Sequence, residues 1–122
     1  MQTDELSIGG DGHESWLCAE LERASQRAKE WDYDPPSDAA VQRARTLFAA
    51  LDEVEFQHAL EISIGVDGSI DIFASRRDVR VSVEILPSGS IQFVRSHSGG
   101  SVEPVRSAVS DAEVVHELSR AA

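Results

Sequence analysis

The chain has 122 residues, 41% of them hydrophobic, which is the length and composition of one globular domain. Its formal net charge is −11, and Lys29 is its single lysine beside ten arginines. A surface this acidic repels phosphate backbones and anionic membranes, so the composition argues against general nucleic-acid binding and against membrane association. Cys18 is the single cysteine, which excludes an internal disulfide framework and a cysteine-rich zinc site.

The compartment that these features predict is the cytoplasm. No apolar run approaches the ~20 residues that a membrane helix needs, and Met1 to Gly12 shows neither the basic stretch nor the apolar segment of a signal peptide. The acidity itself has two ordinary explanations, namely a surface suited to high salt (halophilic adaptation) or a codon bias that favours arginine over lysine. A third explanation is an acidic face that docks a basic partner protein.

The N-terminal part predicts a disordered arm and then a helix. Residues 1–10 are polar and aperiodic, which indicates an arm, and a single α+β domain is then expected over residues 11–122. Asp11 and Glu14 have the spacing of a capping box. One apolar stripe follows at helical spacing: Leu17, Leu21, Ala24, Ala28 and Trp31.

A second helix is predicted after two prolines. Pro35 and Pro36 end the first helix, and Ser37 is a suitable N-cap for the second. The second apolar stripe consists of Ala40, Val41, Ala44, Leu47, Phe48 and Leu51. It fades near Asp52 and Glu53, and residues 54–58 are expected to be a loop.

From Ala59 the apolar period changes from 3.6 residues to 2, which predicts strands. The four alternations are Leu60/Ile62/Ile64, Ile70/Ile72/Ala74, Val79/Val81/Val83/Ile85 and Ile91/Phe93. Because the connections are short, the economical topology is an antiparallel meander.

The register of this meander follows from the requirement that one face be buried. Pairing Ile64 with Ile70 leaves a three-residue turn that ends in Gly68, and pairing Ile85 with Ile91 leaves one that ends in Gly89; glycine suits the left-handed position of both. The middle hairpin is predicted to pair Ala74 with Val79 and Ile72 with Val81, around an even-length loop over residues 75–78.

A third helix closes the predicted domain. Ser110 and Glu113 form a capping-box pattern, and Val114, Val115 and Leu118 point inward. The predicted fold is therefore α+β and two-layered, in the order ααββββα, with helices on one face of a four-stranded antiparallel sheet. The last helix packing on the other face stays an alternative.

No catalytic or metal-binding pattern stands out. The four histidines lack ligand spacing, acids surround Cys18, and neither a nucleophile elbow nor a phosphate-binding loop is present. The sequence therefore predicts no catalytic residue, no metal and no cofactor.

The outer face of the predicted sheet carries the one unusual set of side chains. The predicted register places Glu61, Phe73 and Arg80 in one cross-strand row, with Val94 and Leu86 close by on the same face. Such residues form either a self-satisfied surface cluster or a partner-binding patch, since Phe and Arg are typical interface anchors.

The loop between the first two helices carries a resemblance. Its sequence is Trp31-Asp32-Tyr33-Asp34-Pro35-Pro36-Ser37. It resembles a family of small uncharacterised prokaryotic and phage proteins, in which a Trp-Asp-Gly-Tyr turn precedes a Pro and a Ser or Thr that caps a helix, and a β meander follows. This chain lacks the glycine after Asp32. The resemblance implies the fold and no activity.

Together these features predict a non-enzymatic protein-interaction domain, such as the adaptor, antitoxin or immunity-like member of a small operon. Its partner would be another protein or a second copy of the chain. The alternative is a small enzyme or ligand-binding protein, with a site at the acidic loop around Asp32 and Asp34 or at an oligomer interface.

Overall fold

A computed structural model describes residues 16–51, 59–108 and 110–121. The predicted N-terminal arm, the Asp11/Glu14 capping box and the loop at 54–58 lie outside these residues. The described elements are three helices and five strands, and their bounds are α1 Trp16–Glu30, α2 Asp38–Leu51, β1 Glu61–Ile64, β2 Ile70–Arg76, β3 Val79–Ile85, β4 Ile91–His97, β5 Arg106–Ser107 and α3 Asp111–Ser119. Of the helices in these ranges, none has the length and apolar character that crossing a membrane requires.

The α+β class and the antiparallel meander are confirmed, with one strand more than predicted. The sheet order is β1-β2-β3-β4-β5. Alternate strand residues face a single core that also contains the apolar stripes of the helices. Phe48 lies at its centre and is 0% exposed. We call this side of the sheet the inner face and the opposite side the outer face.

The first helix ends one residue before Trp31, so the prediction that Trp31 joins the core stripe was wrong. The N–H of Asp32 bonds to the carbonyl of Lys29 at 3.1 Å, and the N–H of Tyr33 bonds to that of Ala28 at 2.9 Å. Asp32 has φ +62°, so the helix ends in a Schellman motif with an aspartate in the left-handed position. This turn swings Trp31 off the stripe and leaves it 59% exposed.

The second helix begins directly after Ser37, the predicted N-cap. Ser37 Oγ accepts the backbone N–H of Ala40 at 3.1 Å and donates to the Pro87 carbonyl at 2.6 Å. The predicted stripe is buried except at Val41, which is half-buried. The same hydroxyl therefore caps α2 and joins it to the β3–β4 turn.

Two of the three predicted hairpin registers are confirmed. Ile64 lies opposite Ile70, and Ile85 opposite Ile91. Gly68 and Gly89 have φ of +86° and +92°, in the left-handed region that a three-residue turn needs at its last position.

The middle hairpin was predicted with the right face and the wrong register. Ala74 pairs with Val81 and Ile72 with Val83, so the register differs by two residues from the prediction. The loop is only Arg77-Asp78, because Arg76 pairs with Val79. Both registers bury the same side chains, since the strand period is 2. The left-handed residue in the tighter turn is Arg77, with φ +54°, and no glycine marks it in the sequence.

The fifth strand follows a further three-residue turn. His97 N–H bonds to the Ser101 carbonyl at 2.9 Å, and Ser96 then bridges to Val102. The backbone N–H of Glu103 donates to the carbonyl of Arg95 at 2.8 Å, whereas Arg106 is the cross-strand partner of Phe93. The register thus shifts by one residue at Pro104 and Val105, which is a β-bulge opposite Val94.

The last helix lies on the inner face, which settles the alternative left open by the sequence. Ser110 Oγ accepts the N–H of Glu113 at 3.2 Å, so the predicted cap is confirmed. Val114 and Leu118 are fully buried in the core, and Val115 packs against its edge. No helix in the described ranges covers the outer face.

Candidate functional site

The outer face presents one row of apolar side chains across the sheet. Phe73 pairs with Ser82, and Ser82 with Val94. Val105 follows at the bulge and is 59% exposed, and Val102 on the same edge is 65% exposed. We call Phe73, Val94 and Val105 the apolar row. It is apolar surface that the described part of the chain leaves accessible.

Arg80 does lie against Phe73, but by a different geometry from the predicted one. Its guanidinium carbon is 4.3 Å from the Phe73 ring centroid. The two residues are not direct cross-strand partners, because Arg80 pairs with Ser75 and Phe73 with Ser82. The contact is diagonal, which a long side chain spans easily. The predicted neighbour Glu61 does pair directly with Phe73.

Leu86 does not belong to this group. It lies beyond the end of β3, four residues from Ser82, where it faces Ser90 across the β3–β4 turn. At ~3.3 Å per residue this separation is about 13 Å along the strand. The predicted proximity of Leu86 to Phe73 was therefore wrong. The apolar surface of the outer face extends instead to Val102 and Val105, which lie in a segment for which the sequence predicted no strand.

Two carboxylates lie beside the apolar row. Asp71 and Glu84 are direct cross-strand partners on the outer face, and we call them the acidic pair. Together with Phe73, Val94 and Val105 they line one shallow depression. Burial raises the pKa of Asp71 to about 6, with smaller contributions from the charges of Glu84 and Asp67. Glu84 accepts a hydrogen bond from Gln92 Nε2 at 3.0 Å.

The acidic pair lacks a basic neighbour in the described part of the chain: no arginine, lysine or histidine there forms an ion pair with either carboxylate. Like charges directly opposite each other on a sheet are unfavourable. The sequence analysis missed this pair, although Asp71 and Glu84 both occupy outward positions of the alternating pattern.

The interhelical loop is a second candidate. Trp31 and Tyr33 have ring centroids 5.7 Å apart, and Asp32 and Asp34 are exposed. The N–H of Asp34 bonds to the Val66 carbonyl at 3.1 Å, so the β1–β2 turn holds the loop in place. A groove runs beside the loop, and its lining includes Ser25, Gln26, Lys29, Tyr33 and Pro35.

An ionic cluster on the inner face was also missed. Arg95 continues the inward alternation of Ile91 and Phe93 and pairs with the buried Glu117 of α3. Glu117 lies 3.4 Å from Arg106, and Glu103 lies 3.3 Å from Arg95 and 2.9 Å from His97 Nε2. Burial opposes the charge of Arg95, but the hydrogen bonds and negative charges of Glu117 and Glu103 together outweigh it and raise the pKa of the guanidinium.

This ionic cluster fastens the last helix to the sheet. The signal that could have revealed it is a charged residue at an inward strand position, since a buried charge requires a partner. Within the ranges that the structure describes, no group of histidine, cysteine or acidic side chains is arranged to hold a metal ion. Comparisons of the chain with known protein families, with characterised proteins and with solved structures gave no match.

Proposed function

We propose that the protein is a non-enzymatic protein-interaction domain, of an adaptor, antitoxin or immunity-like kind, and that its outer sheet face binds the partner. The observation that carries this proposal is the apolar row. Phe73, Val94 and Val105 lie in one row, with Ser82 between the first two, on a face without a described helix, whereas the inner face is covered by three. Phe73 and Val94 are half-buried and Val105 is exposed. Apolar side chains clustered on an uncovered face of a small domain are typical of interaction sites.

The face supports docking better than the sheet edges do. Strand addition needs a row of free backbone groups, but β5 has only two paired residues and Pro104 interrupts its ladder. The other edge strand, β1, has four residues and α1 packs against it. A partner therefore has short, interrupted edges to extend but a continuous face to cover.

The size of the face indicates a transient partner. The five strands contain 27 residues, which at ~3.3 Å per residue and ~4.8 Å between strands give about 430 Å² on this side. Standard stable interfaces bury about 800 Å² per partner. We therefore expect an affinity in the micromolar range, with Phe73 as the central anchor and Arg80 stacked beside it.

A cytoplasmic location is part of this proposal, and the single cysteine supports it. Surface adaptation to high salt is compatible with it as well. Homodimerisation through the same face is the competing outcome, and sedimentation of the purified chain distinguishes the two.

The test places a photo-crosslinking amino acid at Ser82, in the centre of the apolar row, in the native host. We expect a crosslinked protein species, and Val105→Asp should abolish it because the charge enters the apolar row. Val66→Asp is the matched control: Val66 is also an exposed valine, 67% against 59%, but lies in the turn that contacts the interhelical loop.

Three outcomes are decisive. Loss of crosslinks with Val105→Asp alone supports the proposal. No crosslinked species at all, or equal yields from both variants, would refute it. A crosslink only to a second copy of the chain, together with a dimer in sedimentation, would assign the face to self-association.

The ligand-binding alternative has one supporting observation, the groove beside Tyr33. Its lining combines an apolar wall of Pro35 and Pro36 with the polar ends of Gln26 and Lys29. A small-molecule thermal-shift screen against wild type and Lys29→Ala tests it, since a ligand of this groove should stabilise only the former.

A further inference from the structure

We infer that the partner of the outer face is a basic protein segment, in which an arginine or lysine side chain enters the depression between the acidic pair and the apolar row. This inference rests on the proposed docking function and adds the chemistry of the partner. The aliphatic part of this cationic side chain covers Val94 and Val105, and its charged end reaches Asp71 and Glu84.

The geometry of the depression fits such a side chain. Asp71 and Phe73 are two residues apart on β2, which is about 6.6 Å along the strand. Glu84 and Ser82 repeat this arrangement on β3, so the carboxylates and the apolar row form two parallel lines. Lysine and arginine have an apolar stem and a charged end of comparable length, and they bury the first while pairing the second.

The charge of the acidic pair is left uncompensated by the rest of the described chain. Glu117, Glu103 and Asp111 each have a basic partner, whereas Asp71 and Glu84 have each other. A cation from outside would remove the repulsion between these two carboxylates. The partly buried position strengthens that attraction, because fewer water molecules screen it.

The chain itself supplies no suitable occupant. Residues 1–15 contain four acids and no lysine or arginine, and residues 52–58 contain three acids and likewise no lysine or arginine. A second copy would bring its own net charge of −11 and its own acidic pair to the interface. Both alternatives are repelled where a basic partner is attracted.

The test uses a fluorescein-labelled peptide, Ser-Val-Ser-Arg-Ser-Val-Ser-Arg, whose valines and arginines lie on one side when it is extended. Fluorescence anisotropy measures its binding to four proteins: wild type, Asp71→Asn/Glu84→Gln, Glu22→Gln/Glu30→Gln and Phe73→Ala. The second double variant removes the same charge from the exposed surface of α1. A peptide with citrulline in place of arginine keeps the shape and removes the cation.

We expect the Asp71→Asn/Glu84→Gln variant to bind the arginine peptide about tenfold more weakly or worse, because a charge-assisted pair of about 1.4 kcal/mol corresponds to a factor of ten. The Glu22→Gln/Glu30→Gln variant should change less than about twofold, since exposed and distant charges are screened. The citrulline peptide should bind wild type as weakly as the arginine peptide binds the Asp71→Asn/Glu84→Gln variant. Phe73→Ala should weaken the binding of both peptides.

Equal losses in the two double variants would overturn the inference, because they would show attraction to the overall charge. Absence of arginine-peptide binding by wild type at millimolar concentration would overturn it as well. The failure of this inference is separable from failure of the docking function: crosslinks from Ser82 that persist in Asp71→Asn/Glu84→Gln would keep the interface and remove the cationic side chain from it.

Discussion

Replacing Asp71 by asparagine should stabilise the fold at neutral pH, although it removes a native side chain. Burial beside Glu84 raises the Asp71 pKa from its ordinary 3.8 to about 6. In full, this difference corresponds to about 3 kcal/mol at 1.36 kcal/mol per pH unit. Solvent and salt screen part of it, because Asp71 is only half-buried, so we expect a gain of about 1–2 kcal/mol.

The gain in stability from Asp71→Asn should depend on pH, because only the ionised Asp71 carboxylate destabilises the fold. A group whose pKa is raised by folding contributes stability below its unfolded pKa and loses it as pH rises through the folded pKa. The destabilisation of wild type by Asp71 therefore develops progressively between about pH 4 and pH 6. The gain from Asp71→Asn should be near zero at the acidic end of this window and constant above it.

Urea unfolding from pH 4.5 to 7.5 measures the effect, as the difference between variant and wild type. Asp67→Asn is the control with opposite sign, because the Ser69 N–H donates to the Asp67 carboxylate at 3.1 Å and lowers its pKa. This variant should lose stability above pH 4. A pH-independent difference for Asp71→Asn, or a loss at pH 7, would refute the reasoning.

Four further predictions concern the scaffold. Phe48→Ala should cost about 3–5 kcal/mol in a denaturant melt, since the side chain is 0% exposed; a loss below about 1 kcal/mol would contradict the packing of α2. Gly68→Ala should cost about 1–2 kcal/mol more than Gly100→Ala, because a Cβ at Gly68 would lie 2.6 Å from the Pro35 carbonyl oxygen, whereas the equally left-handed Gly100 has open space; equal losses would contradict this. Asp32→Gly should raise the unfolding free energy by about 0.5–1 kcal/mol by relieving the left-handed backbone, and a loss would show that the Asp32 side chain stabilises the turn. The melting temperature should rise from low to molar NaCl as the net charge of −11 is screened, and a flat or falling curve would argue against adaptation to high salt.

The sequence predicted those features that a single buried face determines. Strand alternation fixed which side chains enter the core, and glycine at left-handed positions fixed two hairpins, as Ile64 opposite Ile70 shows. The sequence-based prediction failed where two alternative strand registers bury the same residues. The Arg77-Asp78 turn and the predicted four-residue loop differ by two residues of β2, which shifts the register by two and leaves the core unchanged.

The candidate site was predicted only in part, because the predicted register of the middle hairpin was wrong. Phe73 and Arg80 were placed together from the wrong register, and they meet because a long side chain reaches diagonally. Val105 was missed because β5 is short and bulged, which leaves no alternation to read. The acidic pair depends on which residues are directly opposite, and only the correct middle register brings Asp71 to Glu84.

The two ends of the sheet are tied to the rest of the molecule very differently. At one end, the loop between α1 and α2 is bonded to both turns, through Asp34 to Val66 and through Ser37 to Pro87. At the other end, the ionic cluster joins β4 to α3, but the turns Arg77-Asp78 and Ser98 to Gly100 are bonded to each other, through Ser98 and Asp78. Local opening should therefore start at the Arg77 end and spread toward Gly68, so that amide hydrogen exchange is graded along each strand. The acidic pair then lies on the slowly exchanging part of the sheet, whereas Arg80 lies on the part that opens first.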